Sequence, residues 1–186
     1  MQASPLKLPT VIVLASGRGE RFTASGGATH KLKATLGGKP VLQHTLDAVK
    51  ASGLPWHLED AGHPGMGDSI AAAVRATRDA AGWMILPGDL PLVRAATLRL
   101  LATAQPAREV LAPSYQGQRG HPVRFAARLG PALMALSGDR GASEVARVAG
   151  VAEQVVEDAG CITDIDTLQD LERAAATAGA TTAATS

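Results

Sequence analysis

A few residues carry the chemistry this chain can offer, and most of them fall in glycine-bearing loops. The first group is Leu14-Ala15-Ser16-Gly17-Arg18-Gly19-Glu20-Arg21-Phe22, with Lys31 a little further on. Glycines let backbone N–H groups turn toward an anion, and Arg18, Arg21 and Lys31 supply compensating charge. Two common phosphate motifs fail here. A dinucleotide fingerprint wants glycine where Phe22 stands, and the G-K-[ST] of a P-loop ends wrongly at Gly38-Lys39-Pro40. The pattern fits a phosphate loop of another design, or a strand-to-helix loop with solvated cations. The second group is Leu86-Pro87-Gly88-Asp89-Leu90-Pro91. An acid held in a turn straight after a buried strand is well placed to hold a divalent cation over bound phosphates, or to cap the next helix. The third is Thr163-Asp164-Ile165-Asp166-Thr167, where two acids alternate and point the same way on an extended segment. They offer a second carboxylate opposite Asp89, and helix capping by Asp166 or Thr167 explains them equally well.

Two weaker groups complete the set. Gly65-Met66-Gly67-Asp68-Ser69-Ile70 is a glycine turn entering a helix, whose first N–H groups can donate to a phosphate or a base edge. Capping accounts for Asp68 and Ser69 about as well. Arg119-Gly120-His121-Pro122 and Leu136-Ser137-Gly138-Asp139-Arg140-Gly141 are polar loops fit for a second substrate or for plain surface turns.

These loops need elements to hold them. Thr10 to Ala15 and Trp83 to Leu86 are short apolar runs that read as strands buried on both faces, the kind found in parallel sheets. Leu42, Leu46 and Val49 predict a helix over 41–52 stopped by Gly53, and Ile70, Val74, Thr77 and Ala81 predict another, led by Asp68 or Ser69 and ended by Gly82. Shorter helices are expected around Leu98–Leu101, Leu129–Leu136 and Val145–Val148. Strands are expected at Val110–Ala112, at Val123–Phe125 on a sheet edge, and at Val151–Val156. Thr167 with Asp170 forms a capping box for a last helix. The Ala, Thr and Gly tail from Ala174 reads as frayed. The whole predicts one three-layer α/β domain with a mostly parallel sheet over residues 10–174, an N-terminal extension 1–9 and a tail 175–186. In such folds ligands gather beyond the carboxyl ends of the strands, where the loops above lie.

Composition narrows the partners. The 186 residues suit one domain at ~150 residues each. Eighteen Lys and Arg against 17 Asp and Glu leave no broad basic surface for nucleic acid or anionic lipid. Aromatics at 3% rule against a base-stacking platform. One cysteine, Cys161, forbids an internal disulfide, the five histidines lack zinc-like spacing, and no apolar run nears the ~20 residues of a membrane span. A cytoplasmic setting is the default expectation.

In chain order LASGRGERF, KLKATLGGKPVL, GMGDSI, LPGDLPLV, RGHPVRF, LSGDRGAS and DIDT resemble the motifs of MobA-like nucleotidyltransferases, nearest to the molybdenum-cofactor cytidylyltransferases, over roughly Thr10 to Ala174. The resemblance implies a Rossmann-like domain of the nucleotide-diphospho-sugar transferase kind. It also implies transfer of a nucleoside monophosphate from a triphosphate to a phosphate of the pterin cofactor, with Mg²⁺ and release of pyrophosphate. By the same likeness Leu14, Ala15, Ser16, Gly17, Gly19 and Arg21 would hold the triphosphate. Lys31 would bridge phosphates, Asp89 and Asp166 (with Asp164 beside it) would hold the metal, and Gly67 and Ser69 would contact the nucleoside. His121 and Asp139 would stand on the acceptor side. Arg21, Lys31 and Asp89 are the expected catalytic residues. Ala15-Ser16-Gly17 and Asp164-Ile165-Asp166 look like the CTP-using branch rather than the GTP-using one. A molybdenum hydroxylase apo-enzyme or its maturation factor is the implied recipient.

One departure stands out. The family usually places a strand, a helix and another strand before the glycine turn at 65, but residues 54–64 have room for one strand, Trp56 to Glu59. The sheet should be smaller there. A phosphate acceptor, its second pKa ~6, needs no activating base, which suits a chain with no Ser or Cys triad. The rival readings are a transferase acting on a sugar or polyol phosphate, and a non-catalytic carrier of the cofactor or nucleotide.

Overall fold

Alternating runs of buried residues build one sheet with helices on both faces. A computed structural model describes residues 7–17 and 19–183; Arg18, most of the N-terminal extension and the last three residues of the tail lie outside these. The first half runs β1 (Thr10–Leu14), α1 (Glu20–Ala24), the small hairpin β2 (Thr35–Leu36) and β3 (Lys39–Pro40), α2 (Val41–Ser52), β4 (Trp56–Glu59), α3 (Met66–Ala76) and β5 (Gly82–Pro87). Then come α4 (Ala95–Thr103), β6 (Val110–Tyr115), β7 (Gln118–Arg119), β8 (Val123–Ala126), α5 (Gly130–Met134), α6 (Ser143–Ala149), β9 (Val151–Val155) and α7 (Leu168–Ala183).

The main sheet has the order β4-β1-β5-β8-β6-β7, with β9 paired to β6. β1 is parallel to β4 and β5, β9 is parallel to β6, and β8 runs against both β5 and β6. Period-two alternation splits the core. Val11, Val13, Met84 and Leu86 meet Leu46 and Val49 of α2 and Leu98 and Leu101 of α4 on one face. Ile12, Trp83 and Ile85 meet Ile70 and Val74 of α3, Leu133 of α5 and Ala146 of α6 on the other. These are the three layers expected. The abbreviated stretch after α2 holds the single strand β4, at the edge beside β1.

Three local expectations change. Val123–Phe125 lies in the middle of the sheet between β5 and β6, because Arg124 has a partner there: its guanidinium donates to the Leu101 and Ala104 carbonyls at the end of α4, at 2.9 and 2.8 Å. Helix α3 starts after Gly65 rather than at Asp68 or Ser69, and stops at Thr77, whose hydroxyl donates to Ala73 O and accepts the Trp83 indole N–H. Helix α7 continues to Ala183 instead of fraying after Ala174, which is itself fully buried. Alanine has the highest intrinsic helix propensity, so the alanine-rich segment extends a helix already anchored at its start.

That anchor also sets Asp166. Thr167 Oγ1 accepts from Asp170 N at 3.2 Å, while Asp170 Oδ2 accepts from Thr167 N at 2.8 Å and from Asp166 N at 3.2 Å. The Thr167 hydroxyl and these backbone donors hold the Asp170 carboxyl below its ordinary value. A depressed acid stabilises the fold above its unfolded pKa of ~3.9, and that stabilisation is lost as pH falls through the folded value. Asp170→Asn should therefore cost about 1 kcal/mol in urea unfolding at pH 7. The gap from wild type should shrink on acidification below ~4.

Candidate active site

The carboxyl ends of β1 and β5 lie side by side, Leu14 opposite Pro87, so the loops that follow leave the sheet together. Gly88 N–H donates to Leu14 O at 2.9 Å, and a Cβ on Gly88 would sit 3.0 Å from that oxygen and 2.9 Å from Leu42 Cδ1. Glycine is what lets the two loops close up. The Thr45 hydroxyl, fully buried, donates to Gly88 O at 2.9 Å and fixes the turn from below. Ile165 N–H donates to Asp89 O at 3.0 Å, which draws the late acidic segment across the same sheet end.

These contacts bring four charges from distant parts of the chain into one alternating row. Lys31 Nζ donates to Asp89 Oδ2 at 2.6 Å and to Asp166 Oδ1 at 2.8 Å, and Arg21 Nη1 donates to Asp166 Oδ2 at 2.6 Å. Burial works against the Lys31 charge, but the two carboxylates prevail and hold its ammonium above the ordinary lysine value. The Arg21 side chain is 79% exposed, so the row runs from a sheltered end at Asp89 to an open one.

The row lines a cleft of ≈ 440 Å³. Of the residues singled out in the sequence, Leu14, Ser16, Gly17, Gly19, Arg21, Lys31, Ser69, Asp89, Asp139 and Asp166 line it. Four expected residues, Ala15, Gly67, His121 and Asp164, do not. Ala15 instead extends the sheet, donating from its N–H to Glu59 O at 2.9 Å. Gly67 serves a neighbouring loop: its N–H donates to Gly138 O at 2.8 Å, and a Cβ there would lie 2.5 Å from Arg140 O. His121 is held by its backbone N–H, which donates to Cys161 O at 2.8 Å. Burial lowers its imidazole below the ordinary value, against the pull of a backbone hydrogen bond with Ile85 and of the Asp89 carboxylate. Asp164 is exposed and lies outside the cleft lining.

Beside the cleft, reaching it through His63, stands a cluster that motif reading passes over. Glu59, buried at the end of β4, accepts from Ala61 N at 3.2 Å and has His57 Nε2 at 3.5 Å and His63 Nε2 at 3.3 Å. His63, Pro64, Gly65 and Met66 form the cleft wall there, and Ser16 Oγ and Ser69 Oγ meet across it at 2.6 Å. The available signal is position: His63 stands two residues before Gly65, where the turn into α3 begins.

Asp89 Oδ1 is buried and accepts no hydrogen bond. An orphaned carboxylate oxygen is costly unless something meets it. No group of three or more His, Cys, Asp or Glu side chains that could hold a metal gathers among the described residues. Two carboxylates, Asp89 and Asp166, with substrate phosphates as the remaining ligands, fit Mg²⁺ or Mn²⁺, which commonly take one or two protein carboxylates.

Comparison with known proteins identifies the family. The MobA-like NTP transferase domain matches residues 47–156, more than half the chain. The chain belongs to that family. Rv0371c from Mycobacterium tuberculosis H37Rv is 25% identical to this NTP transferase domain, with TM-score 0.76 over 92% of this chain and 98% of that one. The Rv0371c structure in complex with manganese gives TM-score 0.69 at 24% identity over 90% and 97%. The bifunctional protein GlmU of Xylella fastidiosa 9a5c is 29% identical over 142 residues, 63% of this chain. The NTP transferase domain spans about a third of that relative, 30% of its length. No helix among the described residues is long and apolar enough to cross a membrane.

Gly67 yields a direct test of how the cleft wall is built. Gly67→Ala forces a methyl group against the backbone of residues 137–140. It should cost about 1–3 kcal/mol in urea unfolding, and limited proteolysis should cut the 136–141 loop faster than in wild type.

Proposed function

We propose that this NTP transferase domain moves a nucleoside monophosphate, from CTP in preference to GTP, onto the phosphate of a molybdopterin-type acceptor and releases pyrophosphate. The observation that carries the reading is the row Asp89–Lys31–Asp166–Arg21 facing the glycine loop across one cleft. Joining two anions requires cations around the transferred phosphoryl group more than it requires a nucleophilic side chain. Lys31, whose ammonium its neighbours keep charged well past neutrality, and the reaching Arg21 are the protein's own cations for that task. Asp89 and Asp166 would hold Mg²⁺, which when bound supplies charge neutralisation and orients the phosphates. The manganese bound by Rv0371c supports a divalent cation in this fold.

In this reading the triphosphate lies along Gly17, Gly19, Arg21 and Lys31. The nucleoside lies toward Ser69 and the wall at 63–66, and Asp139 bounds the acceptor side. The acceptor phosphate attacks the α-phosphorus in line, and pyrophosphate departs on the side of Arg21 and Lys31. The CTP preference rests on Ala15-Ser16-Gly17 and Asp164-Ile165-Asp166, which look like the cytidylyl branch.

A pyrophosphate-release assay across four nucleotides and pterin, sugar and polyol phosphates tests this. CTP with a molybdopterin-type phosphate should give the highest kcat/KM, with dependence on Mg²⁺. Lys31→Ala and Asp89→Asn should fold yet fall about 10²-fold or more in turnover. Near-normal turnover by both variants would overturn the assignment. Activity confined to sugar or polyol phosphates would replace the acceptor, and nucleotide binding with no release for any pair would mark a carrier.

A further inference from the structure

His30 joins the two halves of the cleft. Its Nε2 lies 2.5 Å from the carbonyl oxygen of Gly17, and its Nδ1 accepts from Leu32 N–H at 3.3 Å. The second contact makes His30 the N-cap of a 3₁₀ turn, Lys31–Lys33, from which Lys31 reaches Asp89 and Asp166. A backbone N–H can only donate and a carbonyl oxygen can only accept. The two partners therefore dictate a neutral ring with its proton on Nε2, donating to Gly17. Gly19, in the left-handed region at φ +66, lies against the same ring: a Cβ there would be 3.2 Å from both Cδ2 and Nε2.

We propose that His30 is a positioning residue that couples the glycine loop to the lysine turn, so that the backbone facing the phosphates and the bridging ammonium keep a fixed relation before substrate arrives. A cap alone would not require histidine, since Asn, Asp and Ser cap such turns well. Only a side chain with two nitrogens at the spacing of the imidazole ring reaches Gly17 as well. Setting charged groups in place before binding removes an ordering cost that would otherwise fall on the substrate complex. The proposal rests on the cleft being a nucleotide site.

The two functions of the ring can be separated. Asn carries its oxygen where His carries Nδ1, so His30→Asn keeps the cap and loses the tether. Gln carries its nitrogen near the place of Nε2, so His30→Gln keeps the tether and loses the cap. Amide exchange should show Leu32 N–H protected in wild type and His30→Asn, and faster in His30→Gln and His30→Ala. His30→Asn should weaken CTP binding and raise KM about fivefold with kcat within about twofold, the effect of one lost hydrogen bond. His30→Gln should keep KM and lower kcat about fivefold, and His30→Ala should show both changes. Wild-type constants in all three variants, or equal losses that follow melting temperature alone, would overturn the proposal. If wild type binds CTP but releases no pyrophosphate, the transferase reading fails while CTP affinity and Leu32 exchange still judge His30. Absence of nucleotide binding by wild type would defeat both.

Discussion

An ammonium held between two carboxylates is the constraint around which this molecule is arranged. Lys31, Asp89 and Asp166 are each largely sheltered, with side-chain exposures of 14%, 13% and 18%. Each would be costly to bury alone, and removing one partner leaves the others uncompensated. Arg21 completes a row of two acids and two bases whose charges balance within the row itself. Such a row can exchange partners. Phosphate oxygens can take over Lys31 and Arg21, and the carboxylates thus released are the groups a divalent cation wants.

No single segment contains that row. Arg21 and Lys31 follow β1, Asp89 follows β5, and Asp166 precedes α7. Gly88 N–H on Leu14 O and Ile165 N–H on Asp89 O tie the three loops together. The capping box of Thr167 and Asp170 then fixes where α7 begins, and with it the direction of Asp166. The wall at the start of α3 depends on a different device. Gly65 and Gly67 let the 136–141 loop lie directly on the start of α3, where Asp68 accepts from Gly138 N–H at 3.0 Å. The edge strand β4 ends at Glu59, which has His57 and His63 beside it, and His63 lines the cleft.

Much of this was legible because its signals are local. Thr10–Leu14 and Trp83–Leu86 are apolar runs ended by Ser-Gly and Pro-Gly, which suffices to place two buried strands and the loops beyond them. The Thr167–Asp170 box reads directly from spacing, and so does the lone strand Trp56–Glu59. Cys161 is buried, its thiol pushed up to about 11 by that burial. What escaped depends on partners far along the chain. Val123–Phe125 was expected at an edge, and nothing nearby announces the α4 carbonyls that receive Arg124 inside the sheet. Gly67 looks like a ligand-facing glycine until the loop at 137–140 is seen packed on it. His30 carries no motif at all, and only the simultaneous distances to Gly17 and Leu32 reveal it.

The central claim is that Asp89 and Asp166 converge with Lys31 and Arg21 on one triphosphate and its cation. Diffraction from crystals grown with Mn²⁺ and a non-hydrolysable CTP analogue measures this most directly, through the anomalous signal of the metal. The account predicts a peak within coordination distance of Asp89 Oδ1 and the Asp166 carboxylate, with analogue phosphates on Lys31 and Arg21. A metal peak away from both acids, or an analogue bound outside this cleft, would contradict it.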